Sequence, residues 1–240
     1  HQVSHTMSEK YLLIWLEAPL QSWGHDSKFD RRDSLDFPTK SGVLGLFCCA
    51  RGAGGKEVEW LKAWADKEMH VLAYVPIGKT GEPVQRLPML ADFHMVGSNY
   101  DNQDPWQSLF IPKTSDGKTA TGGGSKMTYR YYLQDMAYAV LMKAPAAMVD
   151  EVASALTTPV WDLYLGRKNC APTEFILQGV FDSEYLALAA VENLAISKNR
   201  APSFEVRQGV NEGEVICVND VPLQFGPHKQ YRDRQVTVIK

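Results

Sequence analysis

Phe37-Pro38-Thr39-Lys40-Ser41-Gly42-Val43-Leu44-Gly45-Leu46 packs a turn, a helix start and a cation into one short stretch. Pro38 and Thr39 end an irregular segment, and either Thr39 or Ser41 can cap a helix over 42–50. The first turn of a helix leaves backbone N–H groups unpaired and carries partial positive charge, so it makes a seat for phosphate. Lys40 stands at that seat, with Arg31 and Arg32 just upstream. Gly42 and Gly45 would let another backbone come close. An ordinary capped, tightly packed helix carries the same letters, so the rest of the chain has to decide.

Working outward, 11–17 (YLLIWLE) reads as an apolar strand, and a polar loop over 19–38 leads to the helix. Val58, Trp60, Leu61, Trp64 and Ala65 recur at a helical period within 57–68. Strands are expected at 71–77, 86–96, 127–133 and 135–142, then a helix over 145–156 with proline at its start. The polar stretch 97–126 ends in Thr121-Gly122-Gly123-Gly124-Ser125 and reads as the tip of a long hairpin. Beyond Thr157 the pattern is irregular, with short strands expected at 174–177, 215–218 and 236–239.

Composition narrows the function classes. With 240 residues, 45% of them hydrophobic, the chain can bury a real core. No apolar run approaches a membrane span. His1 to Thr6, ahead of Met7, reads as a cloning remnant, which leaves 7–240 as one domain. The four cysteines have no CxxC spacing and read as reduced thiols of a cytoplasmic protein. A net charge of −3 argues mildly against nucleic acid, but the charges are unevenly spread. Lys113, Lys118, Lys126 and Arg130 face only Asp116, and Lys229, Arg232, Arg234 and Lys240 face only Asp233, whereas 174–192 holds acids and no Lys or Arg. A basic side for phosphates and an acidic side turned elsewhere would follow.

Familiar catalytic and cofactor signatures do not fit. Lys40-Ser41 precedes its glycines, so there is no phosphate-binding GxxxxGK[ST] loop, and Arg51-Gly52-Ala53-Gly54-Gly55 reads as a helix C-cap. No His or Cys has metal-ligand spacing, and the residues call for neither metal nor cofactor. His94, inside the 86–96 strand, is the one histidine placed where a site can form. Two further constellations suit nucleic acid. Tyr164-Leu165-Gly166-Arg167-Lys168-Asn169-Cys170 sets a glycine turn beside two cations, Arg167 able to fork onto a phosphate and Lys168 adding a point charge. Tyr129-Arg130-Tyr131-Tyr132-Leu133 interleaves an arginine with aromatics, which suits unpaired bases as well as ordinary cross-strand packing.

Taken in order, these blocks carry a resemblance. Pro19-Leu20-Gln21-Ser22-Trp23-Gly24 and the 37–46 stretch resemble the N-terminal signature of the fifth-subunit family of CRISPR Cascade complexes, in the RAMP superfamily. Asp92-Phe93-His94-Met95-Val96, the 129–133 block and the 164–170 block resemble its subtype I-E branch in the same order, and 235–240 fits the closing strand.

The resemblance implies an α+β fold: a ferredoxin-like, RRM-related β-α-β-β-α-β domain with a long β-hairpin thumb at 86–133 and an irregular C-terminal β region. It implies a non-catalytic RNA-binding subunit that holds the 5′ handle of the guide RNA and caps the backbone filament in antiviral defence. Its partners would be the guide RNA, the backbone and large subunits, and target DNA through the assembled complex, with no membrane. Carried over by position, the handle would lie against Gln21 (base edge), Trp23 (stacking), Lys40, Ser41 and Gly42 (phosphate), with Arg167 and Lys168 next and Arg130 reaching from the thumb. The alternative comes from the I-C branch, whose member is a metal-independent endoribonuclease trimming precursor guide RNA. Here His94 and nearby tyrosines would have to supply its acid and base.

Overall fold

The computed structural model describes residues 8–25, 31–96, 103–109, 113–114, 116–118 and 126–240. The first strand, β1 (Lys10–Glu17), is apolar between its charged ends, from Tyr11 to Leu16, because both of its faces are covered. Leu12, Ile14 and Leu16 point into one layer of core, Leu13 and Trp15 into the other. Three short strands follow: β2 (Leu20–Gln21), β3 (Trp23–His25) and β4 (Arg31–Leu35).

The helix α1 (Lys40–Arg51) begins where the 37–46 stretch places it. Thr39, not Ser41, is the cap: its backbone is extended and its Oγ1 accepts from the Gly42 N–H at 3.0 Å. Gly52 ends the helix at φ 70°, as the glycine run requires. Next come α2 (Val58–Trp64), β5 (Met69–Pro76), β6 (Leu90–Val96), the single-turn α3 (Pro105–Leu109), β7 (Lys126–Gln134), β8 (Ala137–Ala144), α4 (Val149–Thr157) and β9 (Leu177–Phe181). The strand expected from residue 86 starts only at Leu90, past Pro88, which has no N–H for a ladder.

β9, β1, β8 and β5 lie side by side in that order, all antiparallel. This is the ferredoxin-like arrangement, with α1 and α4 following its first and third strands. Val43, Leu44 and Phe47 of α1 and Val149, Val152 and Leu156 of α4 pack on one face of the sheet. A sheet of this kind has a second face, and in RRM domains that open face stacks bases. Here it is closed. The helix α5 (Glu184–Ser197) lays Ala187, Val191 and Ala195 against Leu13, Trp15, Ala139 and Leu141.

The C-terminal region is more regular than the sequence pattern implies. β10 (Arg200–Gln208) pairs with β5, and β12 (Gln230–Ile239) and β11 (Glu214–Gln224) extend the sheet to seven strands.

β6 and β7 form an antiparallel hairpin in register from Leu90–Tyr132 to Val96–Lys126. The other edge of β7 holds β2 and, in parallel, β4, so the hairpin base is tied to the loop before α1. Phe93, Met95, Met127 and Tyr129 are exposed on the hairpin, with the Phe93 and Tyr129 rings 5.2 Å apart. The glycine-rich tip at 121–125 lies outside the described residues, as do the side chains of Arg31 and Arg32.

Candidate nucleic-acid interface

The residues of the two N-terminal motifs turn inward. Gln21 is fully buried, its Nε2 donating to the carbonyls of Leu16 (3.0 Å) and Met136 (2.9 Å) while its Oε1 accepts from Trp23 Nε1 (3.1 Å). Trp23 is buried too, its ring so close to Gly42 that a Cβ there would lie 2.7 Å from it. Gly42 therefore serves a ring of this same chain.

Lys40 departs furthest from expectation. Its ammonium is buried and donates to the carbonyls of Ala65 (2.9 Å) and Lys67 (2.6 Å). The anion seat at the helix start holds a carboxylate from far along the chain: Asp220 Oδ2 accepts the Lys40 backbone N–H at 2.8 Å. Arg234 grips both oxygens of Asp220, at 2.7 and 2.9 Å, and Arg232 reaches Asp66 at 2.8 Å. In this structure Gln21, Trp23 and Lys40 thus shape the surface from beneath it, because each polar atom is spent on an internal partner.

Burial, reinforced by the nearby Arg234 charge and opposed by Asp220, pushes the Lys40 ammonium down to about 7. The unfolded chain keeps that proton to about pH 10.5. Between those values the unfolded state binds more protons, so stability rises with pH, by at most ~1.4 kcal/mol per unit. Lys40→Met is expected to remove this rise. Urea unfolding of both proteins from pH 7 to 8.5, below the titration of buried tyrosines, reads the difference in slope; parallel slopes would contradict it.

Above this layer runs a groove of about 830 Å³. The outer side of α1 (Ser41, Gly42, Gly45, Cys49) makes its floor. One wall carries Trp161, Tyr164 and Gly166, the other Asn219, Phe225, Lys229 and Tyr231 from the β11–β12 hairpin. Trp161 is half exposed and lies over Gly54, while Phe225 lies over Gly45. The Phe225 N–H bonds the Lys56 carbonyl at 3.0 Å, which fixes the hairpin turn beside α1. Lys229 is the single charged lining residue among those described. Burial pushes the Cys48 thiol up to about 12 and raises Cys49 as well, so the groove holds no activated thiol.

Of the predicted site residues, Trp23, Ser41 and Gly42 border the groove, and Tyr164 and Gly166 join them from the third motif. Arg167 turns toward the hairpin, its guanidinium 4.7 Å from the Tyr132 ring centre and Nη1 3.4 Å from the Tyr131 carbonyl. Lys168 is exposed beside it. Arg130 lies on β7 opposite Asp92, away from the groove, and its buried Nε lacks a partner among the described residues. His94 contacts Asp92 two residues before it on β6 and does not line the groove. Sequence reading missed Trp161, Phe225, Lys229 and Tyr231. Of these only Lys229 carried a signal, in the basic run near the end of the chain.

A ferredoxin-like sheet, a long hairpin and an aromatic groove beside a glycine-lined helix define a recognisable class. The family model described as CRISPR-associated protein (Cas_Cas5) matches residues 11–237, and the chain belongs to this family. CRISPR system Cascade subunit CasD of Escherichia coli (strain K12) is 27% identical over 173 residues, 70% of either chain. A chain in a solved CRISPR RNA-guided surveillance complex superposes with a TM-score of 0.68 at 27% identity, covering 95% of this chain and 89% of that one. A second solved structure, of a Cas protein, gives 0.56 at 23% identity over 95% and 93% of the two chains, a likeness of fold alone.

Proposed function

We propose that this chain is a non-catalytic subunit of a type I-E CRISPR Cascade complex in the cytoplasm, and that it holds the 5′ handle of the guide RNA. The observation that carries this reading is the groove: unstacked bases need aromatic faces and a backbone phosphate needs a cation, and Trp161, Tyr164, Phe225, Tyr231 and Lys229 line one cleft. Gly45, whose missing Cβ would meet nothing nearer than Phe225 at 4.0 Å, leaves its floor low enough for a sugar–phosphate chain to approach. Arg167 and Lys168 extend the cationic surface past its rim.

The 86–133 hairpin is the thumb of this reading. Its exposed Phe93, Met95, Met127 and Tyr129 suit contact with a neighbouring backbone subunit rather than with water. Arg130 belongs to the same arm and would meet the guide or that neighbour. Target DNA would be met only through the assembled complex.

A metal-independent ribonuclease would need an acid and a base about the 2′-hydroxyl of bound RNA. His94 is engaged with Asp92 outside the groove, which favours holding over cutting.

The test mixes the purified protein with a labelled repeat RNA of its own locus in the absence of metal. Binding without cleavage is expected. Trp161→Ala with Lys229→Glu should weaken binding by at least about tenfold, since one stacked base contributes about 1–3 kcal/mol. Unchanged affinity would remove the groove from the account. Cleavage abolished by His94→Ala would replace holding with nuclease activity.

A further inference from the structure

We propose that the outer side of α5 docks another protein subunit, one that presents lysine or arginine among apolar hollows, on the side of the sheet away from the groove. The inner side of α5 is spent on the core. Its outer side carries Glu192 and Asn193 but also large apolar side chains that a solvent-facing helix side should lack. Tyr185 is 80% exposed, Leu186 49% and Ile196 77%, and Phe175, just before β9, is 87% exposed.

Tyr185 and Ile196 lie on one line of the helix, three turns apart, with Leu186 beside the first of them. Glu174 pairs with Lys198 at 2.6 Å, which draws its neighbour Phe175 to the C-terminal end of α5, where Ile196 sits. Tyr185 and Leu186 mark the other end, about 16 Å away at the helical rise. Single exposed apolar residues are ordinary, but large ones at both ends of one exposed helix side, with Phe175 beside the second, mark an interaction surface.

Charge selects the occupant. Asp182 is paired with Lys10 at 2.9 Å, Glu184 with His70 at 3.1 Å and Glu174 with Lys198. Glu192 is exposed, one turn before Ile196 on the same side, and has no cation partner among the described residues. An unpaired acid between Tyr185 and Ile196 repels phosphate and is complemented by a cation, so the occupant is protein and not RNA. Because α5 and α1 lie on opposite faces of the sheet, docking here leaves the groove open to RNA.

The inference rests on the assembly reading above, and its test separates the two. The full chain is co-expressed with the remaining subunits of its own complex and purified through one of them. Tyr185→Ser with Ile196→Ser, and separately Glu192→Lys, are expected to lower its recovery by at least about tenfold, the effect of losing an interface anchor. The isolated variants should bind guide RNA as the wild type does. Recovery equal to wild type would overturn the surface, whereas failure of the wild type itself to co-purify would overturn the assembly reading and this one with it. A second readout needs no variant: tetranitromethane labelling of Tyr185 in the wild type should fall severalfold on assembly, and equal labelling would overturn the proposal. A concentration-dependent dimer of the isolated chain, abolished by the double variant, would make the occupant a second copy and overturn a different subunit.

Discussion

Gly166→Ala is expected to unfold the 165–170 loop and destabilise the protein by at least about 3 kcal/mol, the sum of a strained backbone and an overpacked contact. Gly166 has φ +94°, a conformation that side chains resist, and a Cβ there would lie 1.5 Å from the Ser22 carbonyl oxygen. Neither side can yield. The Ser22 N–H donates to the Leu165 carbonyl at 3.2 Å, and the Leu165 N–H in turn to Cys170 at 2.8 Å. Leu165 and Cys170 are themselves buried, so the loop cannot lift away without opening the core. Urea denaturation measures the loss, and the loop's place in the groove wall means RNA affinity should fall with it. A variant within about 1 kcal/mol of wild type would mean that the loop is not held against Ser22 as described.

Asp220→Ala should cost a similar amount by a different route. Asp220 and the Arg234 side chain are almost wholly buried, and the pair is bidentate. Removing one partner leaves the other charge buried and uncompensated, which typically costs about 3–5 kcal/mol. Arg234 already has a buried Nη1 without a partner among the described residues, so its guanidinium would be left buried with its anion gone. The α1 start would lose the acceptor for the Lys40 N–H at the same time. The groove is affected because Asp220 fastens β11 to α1, the two elements that carry one wall and the floor. Thermal or urea melts report the stability, and guide RNA binding below the melting range reports the groove. Wild-type stability in Asp220→Ala would show that the carboxylate does not compensate this cluster. Arg234→Met with Asp220→Leu, which removes both charges, should recover much of the loss.

In the ferredoxin-like half of the chain the main strands and helices were legible because their signals are local. The apolar run of β1, a cap at Thr39 or Ser41, the Gly52 stop and the alternation of β7 each follow from neighbouring residues. By contrast, β2, β3 and β4 fell in a stretch that reads as a polar loop, and the arrangement itself came from the resemblance. The α5 helix escaped because it is apolar nearly all round, so a 3.6-residue period barely shows. The C-terminal meander escaped for a related reason. Register shifts between Pro202 and Phe204, Asn219 and Val221, and Pro222 and Gln224 break the two-residue alternation by which strands are read.

At the site, residue types were readable and directions were not. Lys40 beside a helix start looks like a phosphate ligand from its neighbours alone. Its burial is decided by the carbonyls of Ala65 and Lys67 and by Asp220, none of them near it in sequence. Trp161 and Phe225 carry no local motif, because what makes them a pair of walls is the meeting of two distant loops over α1. Sequence order gave the family. The cleft that would hold RNA is a product of tertiary contact.

The most direct measurement is photo-crosslinking of the protein to its guide RNA carrying 4-thiouridine in the 5′ handle, with the joined peptides mapped by mass spectrometry. The account predicts crosslinks within the groove walls, at Trp161, Tyr164, Phe225 or Tyr231. Crosslinks confined to the hairpin or to the α5 side, with those aromatics unmarked, would contradict it.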